Sequence, residues 1–260
     1  FFAEFTAGVF AWDFAGTPLW RADLGVQDHQ FGYGASPVLH GGLVFLNFGP
    51  GTREFIVALD AKTGAEKWRV EGPVQGADDI YGTWSTPLIV SHEGRAQLLV
   101  ALRDHFAALD PATGAGLWHT AGMGPQAKTS PVAGGGIALI SGDLQSAELA
   151  VRLGGRGDVR MSHALWRGHP PRRRIATGVV VDGHCYGARV NGILDCVTME
   201  DGEEVWAERE QGTGANAAIW ASPVYVQPTG LIYHVTQGGD TVVVRADPRQ
   251  FETVAVNSVG

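Results

Sequence analysis

The sequence predicts an all-β protein, and three features of the chain lead to this prediction. Glycine occupies 37 of the 260 positions, about twice the usual fraction of roughly 7%, so turns must be frequent. Short apolar runs end at typical hairpin breakers such as Gly41-Gly42, Asn191-Gly192 and Gly238-Gly239. No stretch of about ten residues shows the 3.6-residue apolar period that an amphipathic helix requires.

A motif that ends in tryptophan repeats along the chain. Residues 58–68 read ALDAKTGAEKW, residues 108–118 read ALDPATGAGLW, and residues 196–206 read CVTMEDGEEVW. Shortened or degenerate copies end at Trp20 and Trp166, and the intervals between the tryptophans that end successive copies of the motif are 48, 50, 48 and 40 residues. A repeat of this length is typical of the blades of a β-propeller.

A second marker, Ser or Thr followed by Pro or Gly, runs in phase with the first. Each copy opens an apolar strand, so each repeat consists of three or four short strands. Six motif endings, the last at Val254, predict a β-propeller of four-stranded blades with about six blades represented. We expect one propeller domain over residues 1–260, truncated at one or both ends. The markers are Ser36-Pro37, Thr86-Pro87, Ser130-Pro131, Thr177-Gly178 and Ser222-Pro223.

The repeat motif has a structural interpretation. Its alanine is small enough for the face where neighbouring sheets meet. Its aspartate side chain can accept a hydrogen bond from the backbone N–H group two residues later, which forms an Asx turn. Its glycine supplies the positive φ that follows, and the tryptophan lies across a neighbouring turn. We therefore predict a fastener between blades. Its residues are Ala58, Asp60, Thr63, Gly64, Trp68, Ala108, Asp110, Thr113, Gly114, Trp118, Gly202 and Trp206.

Charge and motif content argue against several classes of function. The chain has 19 basic and 27 acidic residues and a net charge of -8, which disfavours binding to a nucleic-acid backbone. No apolar run approaches the roughly 18 residues of a membrane-spanning helix. The nine histidines show no H-x-H or H-E-x-x-H spacing, so no metal site is predicted. No catalytic motif stands in a supporting context, so no catalytic residue is predicted.

Five residues are candidates for a ligand site at the mouth of a central channel. Trp84 and Trp220 each precede a Ser-Pro or Thr-Pro marker, and Tyr33, Lys128 and Arg174 lie near the equivalent positions of other repeats. A rim of aromatic and cationic side chains suits a planar or anionic small ligand. The alternative is that the tryptophans plug the channel and the cations are solvated.

The two cysteines, Cys185 and Cys196, flank the turn at Asn191-Gly192. If this turn pairs Val190 with Ile193, the cysteines are diagonal neighbours on one face, about 7–8 Å apart at Cα and beyond easy disulfide reach. Cys196 also occupies the small position that alanine fills in other copies. We predict two free cysteines in the core.

The A-x-D-x-x-T-G-x-x-x-W pattern resembles the PQQ-like β-propeller repeat family, which includes quinoprotein dehydrogenases and BamB-like assembly proteins. The resemblance covers nearly the whole chain, is strongest at residues 36–131 and 177–223, and is weakest at residues 153–159. It implies a seven- or eight-bladed ring and a periplasmic or extracellular location. Because the structural motif is complete and no catalytic constellation accompanies it, we expect a non-catalytic scaffold whose loops or channel mouth bind a protein, peptide or small ligand, as the resemblance to BamB-like proteins implies.

Two other functions stay open at this point. Quinoprotein dehydrogenases of the family bind PQQ with calcium and carry a vicinal Cys-Cys pair, which this chain lacks. We therefore expect no cofactor, with PQQ and calcium as the alternative. The third hypothesis is an extracellular sensor domain of a larger protein.

Overall fold

Antiparallel hairpins account for nearly all of the regular structure in the computed structural model. The described residues are 2–5, 8–26, 29, 31–51, 53–72, 82–142, 146–168, 172–209 and 217–258. They contain strands but no helix, and hence no helix long and apolar enough to cross a membrane. The strands are β1 (Phe2–Phe5), β2 (Gly8–Trp12), β3 (Pro18–Asp23), β4 (Val38–His40), β5 (Leu43–Phe48), β6 (Phe55–Asp60), β7 (Glu66–Glu71), β8 (Gly82–Thr83), β9 (Leu88–His92), β10 (Arg95–Leu102), β11 (His105–Leu109), β12 (Gly116–Ala121), β13 (Gln126–Ala127), β14 (Val132–Gly134), β15 (Ile137–Ile140), β16 (Glu148–Arg152), β17 (Gly157–Asp158), β18 (Ala164–Gly168), β19 (Val179–Val181), β20 (His184–Ala188), β21 (Ile193–Thr198), β22 (Glu204–Arg209), β23 (Val224–Val226), β24 (Leu231–Val235), β25 (Asp240–Arg245) and β26 (Thr253–Ser258).

The chain forms two compact units. The first comprises residues 1–131 and 154–162, and the second comprises residues 132–153 and 163–260. In the first unit the sheets have the orders β1-β2-β3, β4-β5-β6-β7 and β17-β12-β11-β10-β9, and β8 pairs with β13. In the second unit they have the orders β14-β15-β16-β18, β19-β20-β21-β22 and β23-β24-β25-β26. The described residues thus contain six sheets of three or more strands, which matches the six predicted blades.

The repeat motif sets the local geometry of each sheet. Ala58 on β6 pairs with Trp68 on β7, and Ala108 on β11 pairs with Trp118 on β12. In both pairs the register shifts at the residue after the alanine. The small side chain leaves room for the indole opposite it, because cross-strand neighbours share one face of the sheet.

The turn inside the motif is an Asx turn, as the sequence predicts. Asp60 Oδ1 accepts the backbone N–H groups of Lys62 and Thr63, both at 3.0 Å. Asp110 Oδ1 accepts the equivalent pair at 2.8 and 3.0 Å. The glycine that follows has a positive φ in each turn, 71° at Gly64 and 74° at Gly114, a conformation that side chains other than glycine rarely adopt.

The tryptophan of one sheet rests on the turn of the next sheet within the same unit. The indole N–H of Trp20 donates to Ala61 O at 3.0 Å, and that of Trp68 donates to Pro111 O at 3.1 Å. A Cβ atom at Gly64 or Gly114 would lie 2.5 or 2.7 Å from the indole ring. The turn therefore needs glycine for its backbone angle and also for contact with the indole.

Trp118 departs from this pattern. Its indole N–H donates to Gln97 Oε1 in its own sheet at 3.0 Å, and its side chain is 1% exposed. The segment 153–159 lacks the Asp-x-x-Thr-Gly turn. It instead contributes β17, which pairs in parallel with β12 and places Gly157 opposite Trp118. The region of weakest family resemblance thus adds a fifth strand to this sheet.

The Ser-Pro and Thr-Pro markers connect the strands that open successive sheets. In the first unit, Ser36 N–H donates to Thr86 Oγ1 at 2.9 Å, and Thr86 N–H donates to Ser130 Oγ at 3.0 Å. In the second unit, Thr177 N–H donates to Ser222 Oγ at 3.1 Å. The hydroxyl is therefore a hydrogen-bond acceptor for the preceding marker, which explains why Ser or Thr occurs at this position.

The predicted register of the cysteine hairpin is wrong by one residue. The turn closes with Arg189 N–H donating to Ile193 O, so that Tyr186 pairs with Cys196. A three-residue turn with a positive-φ glycine replaces the two-residue turn that we expected from Asn-Gly. Cys185 therefore lies on the opposite face from Cys196, because a shift of one residue exchanges the faces. Both cysteines are buried and free, as the sequence predicts.

The contact between Trp68 and Gly114 gives a test of the fastener. Gly114→Ala should lower the free energy of unfolding by about 1–3 kcal/mol more than Gly94→Ala, because it adds a clash with the indole. Gly94 has the same φ of 74°, but its added Cβ would meet nothing within 4 Å. Urea unfolding of the two variants measures the difference, and equal losses would show that the indole contact carries no energy.

Candidate functional site

The first unit presents an aromatic cluster where its opening strands meet. Trp84 is fixed at two points, since its backbone N–H donates to Ala127 O at 2.8 Å and its indole N–H donates to Gly32 O at 3.0 Å. The rings of His29 and Phe31 lie edge-on to the indole, at centroid distances of 5.3 and 6.4 Å. We call His29, Phe31, Tyr33 and Trp84 the aromatic mouth.

The ring of Tyr33 is held in position by a stack of phenylalanine rings. Its ring stacks on Phe48 at 5.6 Å, and Phe48 stacks on Phe55 at 4.6 Å. The guanidinium of Arg53 lies over both phenylalanine rings at 5.9 Å, within the range of a cation–π contact. The stack holds Tyr33 half-buried, whereas Phe31 is 67% exposed.

Two further predicted residues are exposed to different degrees. Lys128 directly follows β13 and is half-buried in the first unit, next to the Ala127 carbonyl that holds Trp84. Trp220, in the second unit, precedes β23 and is 55% exposed. The structure thus brings Tyr33, Trp84 and the Lys128 segment together within one unit.

Arg174 does not lie at a rim, contrary to our expectation. Its side chain is completely buried in the second unit, and its NH2 group donates to the equally buried Asp195. Its Nε lies 3.7 Å from Glu148 Oε1, and its NH1 lies 3.8 Å from Cys185 Sγ. The neighbouring Pro170 and Pro171 lie outside the described residues.

Arg174 belongs to a larger group of charges that we call the buried ion network. Arg172 pairs with Glu148, and Arg189 Nε lies 2.8 Å from Asp195 Oδ2. Glu204 accepts from both of these arginines at the edge of the network. Three arginines therefore face three carboxylates, and this balance permits charges to be buried. The members are Glu148, Arg172, Arg174, Arg189, Asp195 and Glu204.

Gly187 makes room for the Arg174 side chain, and Gly178 makes room for the neighbouring Cys185 thiol. A Cβ atom at Gly187 would lie 2.3 Å from Arg174 NH1, and one at Gly178 would lie 2.7 Å from Cys185 Sγ. Gly178 occupies the position that is proline in the other four markers. This substitution is the sequence signal for the network, although it does not identify Glu148 or Asp195 as the partners.

The protonation of the network follows from its geometry. Burial opposes the charged form of Arg174, but the fields of Asp195 and Glu148 outweigh burial and raise the pKa of its guanidinium. Burial raises the pKa of the Cys185 thiol to about 11. This cysteine is therefore protonated at neutral pH and is not activated as a nucleophile. Burial lowers the pKa of His234 to about 4, with Arg174 adding to the effect and Asp195 opposing it.

Metal-ligating side chains do not cluster in the part of the chain that the structure describes. No group of three or more His, Cys, Asp or Glu residues there is placed to hold a metal ion. The carboxylates of the network are engaged by guanidinium groups, and such ion pairs are a structural arrangement.

Removal of Arg174 tests whether the network stabilises the fold. Arg174→Met should lower the free energy of unfolding by about 3 kcal/mol or more, because two carboxylates stay buried with fewer partners. Arg167→Met is the control, since Arg167 is exposed and such changes stay within about 0.5 kcal/mol. Thermal and urea unfolding measure both variants, and an Arg174→Met protein as stable as the wild type would contradict this prediction.

The buried His234 predicts a pH dependence of stability. The unfolded chain binds a proton at this histidine near the ordinary pKa of 6.5, whereas the folded protein does so only near pH 4. Stability should therefore fall as the pH is lowered from 6.5 to 4, by roughly 3 kcal/mol at most from this residue. His234→Gln should flatten that slope in urea titrations, and the exposed His40→Gln should not. A slope unchanged in His234→Gln would assign the acid sensitivity to other groups.

Comparisons with solved structures identify the fold as a β-propeller. BamB from Moraxella catarrhalis superimposes with a TM-score of 0.70 at 16% identity, over 98% of this chain and 71% of that chain. The C-terminal WD40 domain of Sif2 gives a TM-score of 0.68 at 9% identity, over 98% of this chain and 67% of that one. The quinohemoprotein alcohol dehydrogenase ADHIIG from Pseudomonas putida HK5 gives 0.61 at 15% identity, over 97% and 53%. The chain is therefore a β-propeller of four-stranded blades, and the predicted fold class is confirmed.

Comparison of the sequence with protein-family models identifies the family. No curated protein matches the sequence. The chain spans only about half the length of the dehydrogenase that it resembles in fold. A family model described as outer membrane protein assembly factor BamB matches residues 7–236, which is most of the chain. The protein therefore belongs to the BamB-like family of PQQ-type β-propellers.

Proposed function

We propose that this chain is a non-catalytic β-propeller scaffold that binds a protein or peptide partner through the aromatic mouth of its first unit. The observation that carries the proposal is Phe31, which is 67% exposed yet seated against Trp84. Aromatic side chains are enriched in protein interfaces, and Phe31 belongs to a group of neighbouring aromatic rings and does not stand alone on the surface. The family description, an assembly factor, supports a partner that is itself a protein.

The aromatic mouth suits a binding site because its parts are held in place before a partner arrives. Both hydrogen bonds of Trp84 go to backbone carbonyls, and Tyr33 is stacked on Phe48. A side chain that is already ordered loses little conformational entropy on binding. Aromatic anchors of this kind contribute much of the energy of protein interfaces.

The location that we propose is periplasmic or extracellular. The support is membership of a family described by outer membrane protein assembly. If the partner is an outer-membrane protein, it would present extended segments of alternating apolar and polar residues, because outer-membrane strands have this pattern. An aromatic surface can bury the apolar side chains of such a segment.

Selection of extended peptides on the purified protein tests the proposal. We expect a library of random peptides of about ten residues, the length of an outer-membrane strand, to yield binders. Phe31→Ser should weaken the best binder by about tenfold or more, because an aromatic anchor is removed. Leu39→Ser is the matched control, since Leu39 is 60% exposed in the same unit but outside the mouth. Fluorescence anisotropy measures the affinities. Failure to enrich any peptide, or equal losses in both variants, would contradict the proposal.

A quinoprotein dehydrogenase is the second candidate, and the fold shared with a quinohemoprotein alcohol dehydrogenase is the observation that favours it. PQQ with calcium would then stack on a predicted tryptophan, either Trp84 of the first unit or Trp220 of the second unit. Titration with PQQ and calcium, followed by tryptophan fluorescence, separates the two functions. Saturable binding that is lost in Trp84→Ala or in Trp220→Ala would favour the dehydrogenase. We expect no saturable binding at tens of micromolar.

A further inference from the structure

The first unit contains a polar cavity of about 700 Å³ that the proposed function does not use. It lies between the β9–β10 hairpin, the start of β12 and the glycine-rich loop 154–157. A volume of this size falls within the range of roughly 300–1,000 Å³ that is usual for small-molecule sites.

Two arginines in the wall of this cavity have no partner among the residues that the structure describes. Arg95 and Arg156 line the cavity, and neither side chain makes a hydrogen bond or ion pair with any residue in the described ranges. By contrast, arginines elsewhere in the first unit are paired, as Arg69 is with Glu66 and Arg160 is with Asp158. An unpaired guanidinium offers up to five donors in a planar fork that matches an oxyanion.

Gln97 supplies a further donor, and its orientation is fixed. This side chain lines the same cavity and is only 6% exposed. Its Oε1 accepts the indole N–H of Trp118 at 3.0 Å. The polar group that remains is the amide NH₂, which can only donate.

The glycine loop lets the backbone approach the other side of the cavity. Gly154 has a φ of 97°, and a Cβ atom there would lie 2.9 Å from His92 Nε2. A larger residue at this position would require the His92 ring to move. His92 and the loop therefore line the cavity in direct contact with each other.

The charge of the lining is positive although the whole protein is acidic. Glu93 is the one carboxylate among the residues that line the cavity, against Arg95 and Arg156. The nearby Asp158 does not add to it, because both of its oxygens accept from Arg160. With a net charge of -8 on the chain, the attraction for an anion must come from these local groups and not from the overall field.

We propose that this cavity binds a small molecule through a phosphate or carboxylate group, with Arg95 and Arg156 as the anion-binding side chains. The amide NH₂ of Gln97 donates to the same oxyanion or to a neighbouring oxygen of the ligand. Charge-assisted hydrogen bonds from two guanidinium groups are the interaction that selects this chemical class.

Calorimetric titration of the protein with pyrophosphate and with citrate, at low ionic strength, tests the proposal. Arg95→Gln and Arg156→Gln should each weaken binding by about tenfold or more, because each removes a charged donor. Glu93→Gln should tighten binding, because it removes the repelling carboxylate. Stronger binding of pyrophosphate assigns a phosphate-bearing ligand, and stronger binding of citrate assigns a carboxylate-bearing one.

The control removes the same charge at a different place. Arg167 is also exposed and unpaired among the described residues, but it does not line the cavity. Arg167→Gln should leave both affinities within about twofold, because this side chain is not among those that line the cavity. Equal weakening in Arg167→Gln and Arg95→Gln, or no saturable binding of either probe, would overturn the proposal. The melting temperature of each variant shows whether a loss of binding reflects a loss of folding.

Discussion

The contact between an indole and the glycine of the next turn is the interaction on which the rest of the structure depends. A four-stranded sheet with apolar residues on its faces must bury them against a neighbouring element. Trp20 and Trp68 each cover the turn of the following sheet and donate to one of its carbonyls. The same contact occurs in the second unit, where Trp166 covers Gly202 and donates to Met199 O. It combines apolar burial with a hydrogen bond that fixes the register of neighbouring sheets.

Two of the places where the repeat departs from its pattern contain unusual arrangements of polar side chains. At Trp118 the next turn is absent, so the indole turns back to Gln97 and the loop 154–157 approaches the sheet edge. The polar cavity lies at this departure. At Gly178 the marker proline is absent, and the space next to the glycine holds the Cys185 thiol, which lies beside Arg174 of the buried ion network. A repeat that is satisfied internally leaves few donors for a ligand, whereas a broken repeat leaves some unpaired.

The sequence allowed much of the fold to be predicted, because the signals for it are local. The Asp-x-x-Thr-Gly turn, the hairpin glycines and the tryptophan period all act within one repeat or between adjacent ones. The buried ion network was not predictable in the same way. Arg174 meets Glu148 and Asp195 through the folding of three separate strands and loops, and no spacing in the sequence encodes that meeting. The wrong register at Cys185 has a local cause, since one additional residue in the turn exchanged the two faces.

The contrast between Arg174 and Arg95 shows why residue type alone did not locate a site. Arg174 is completely buried among carboxylates, whereas Arg95 lines a cavity without a partner in the described part of the chain. The guanidinium of Arg174 is already paired within the protein, since Asp195 and Glu148 compensate the cost of its desolvation. The guanidinium of Arg95 can still donate hydrogen bonds to a ligand from solution. Binding capacity therefore depends on which charges the fold leaves unpaired, and this can be read only after the strands are placed.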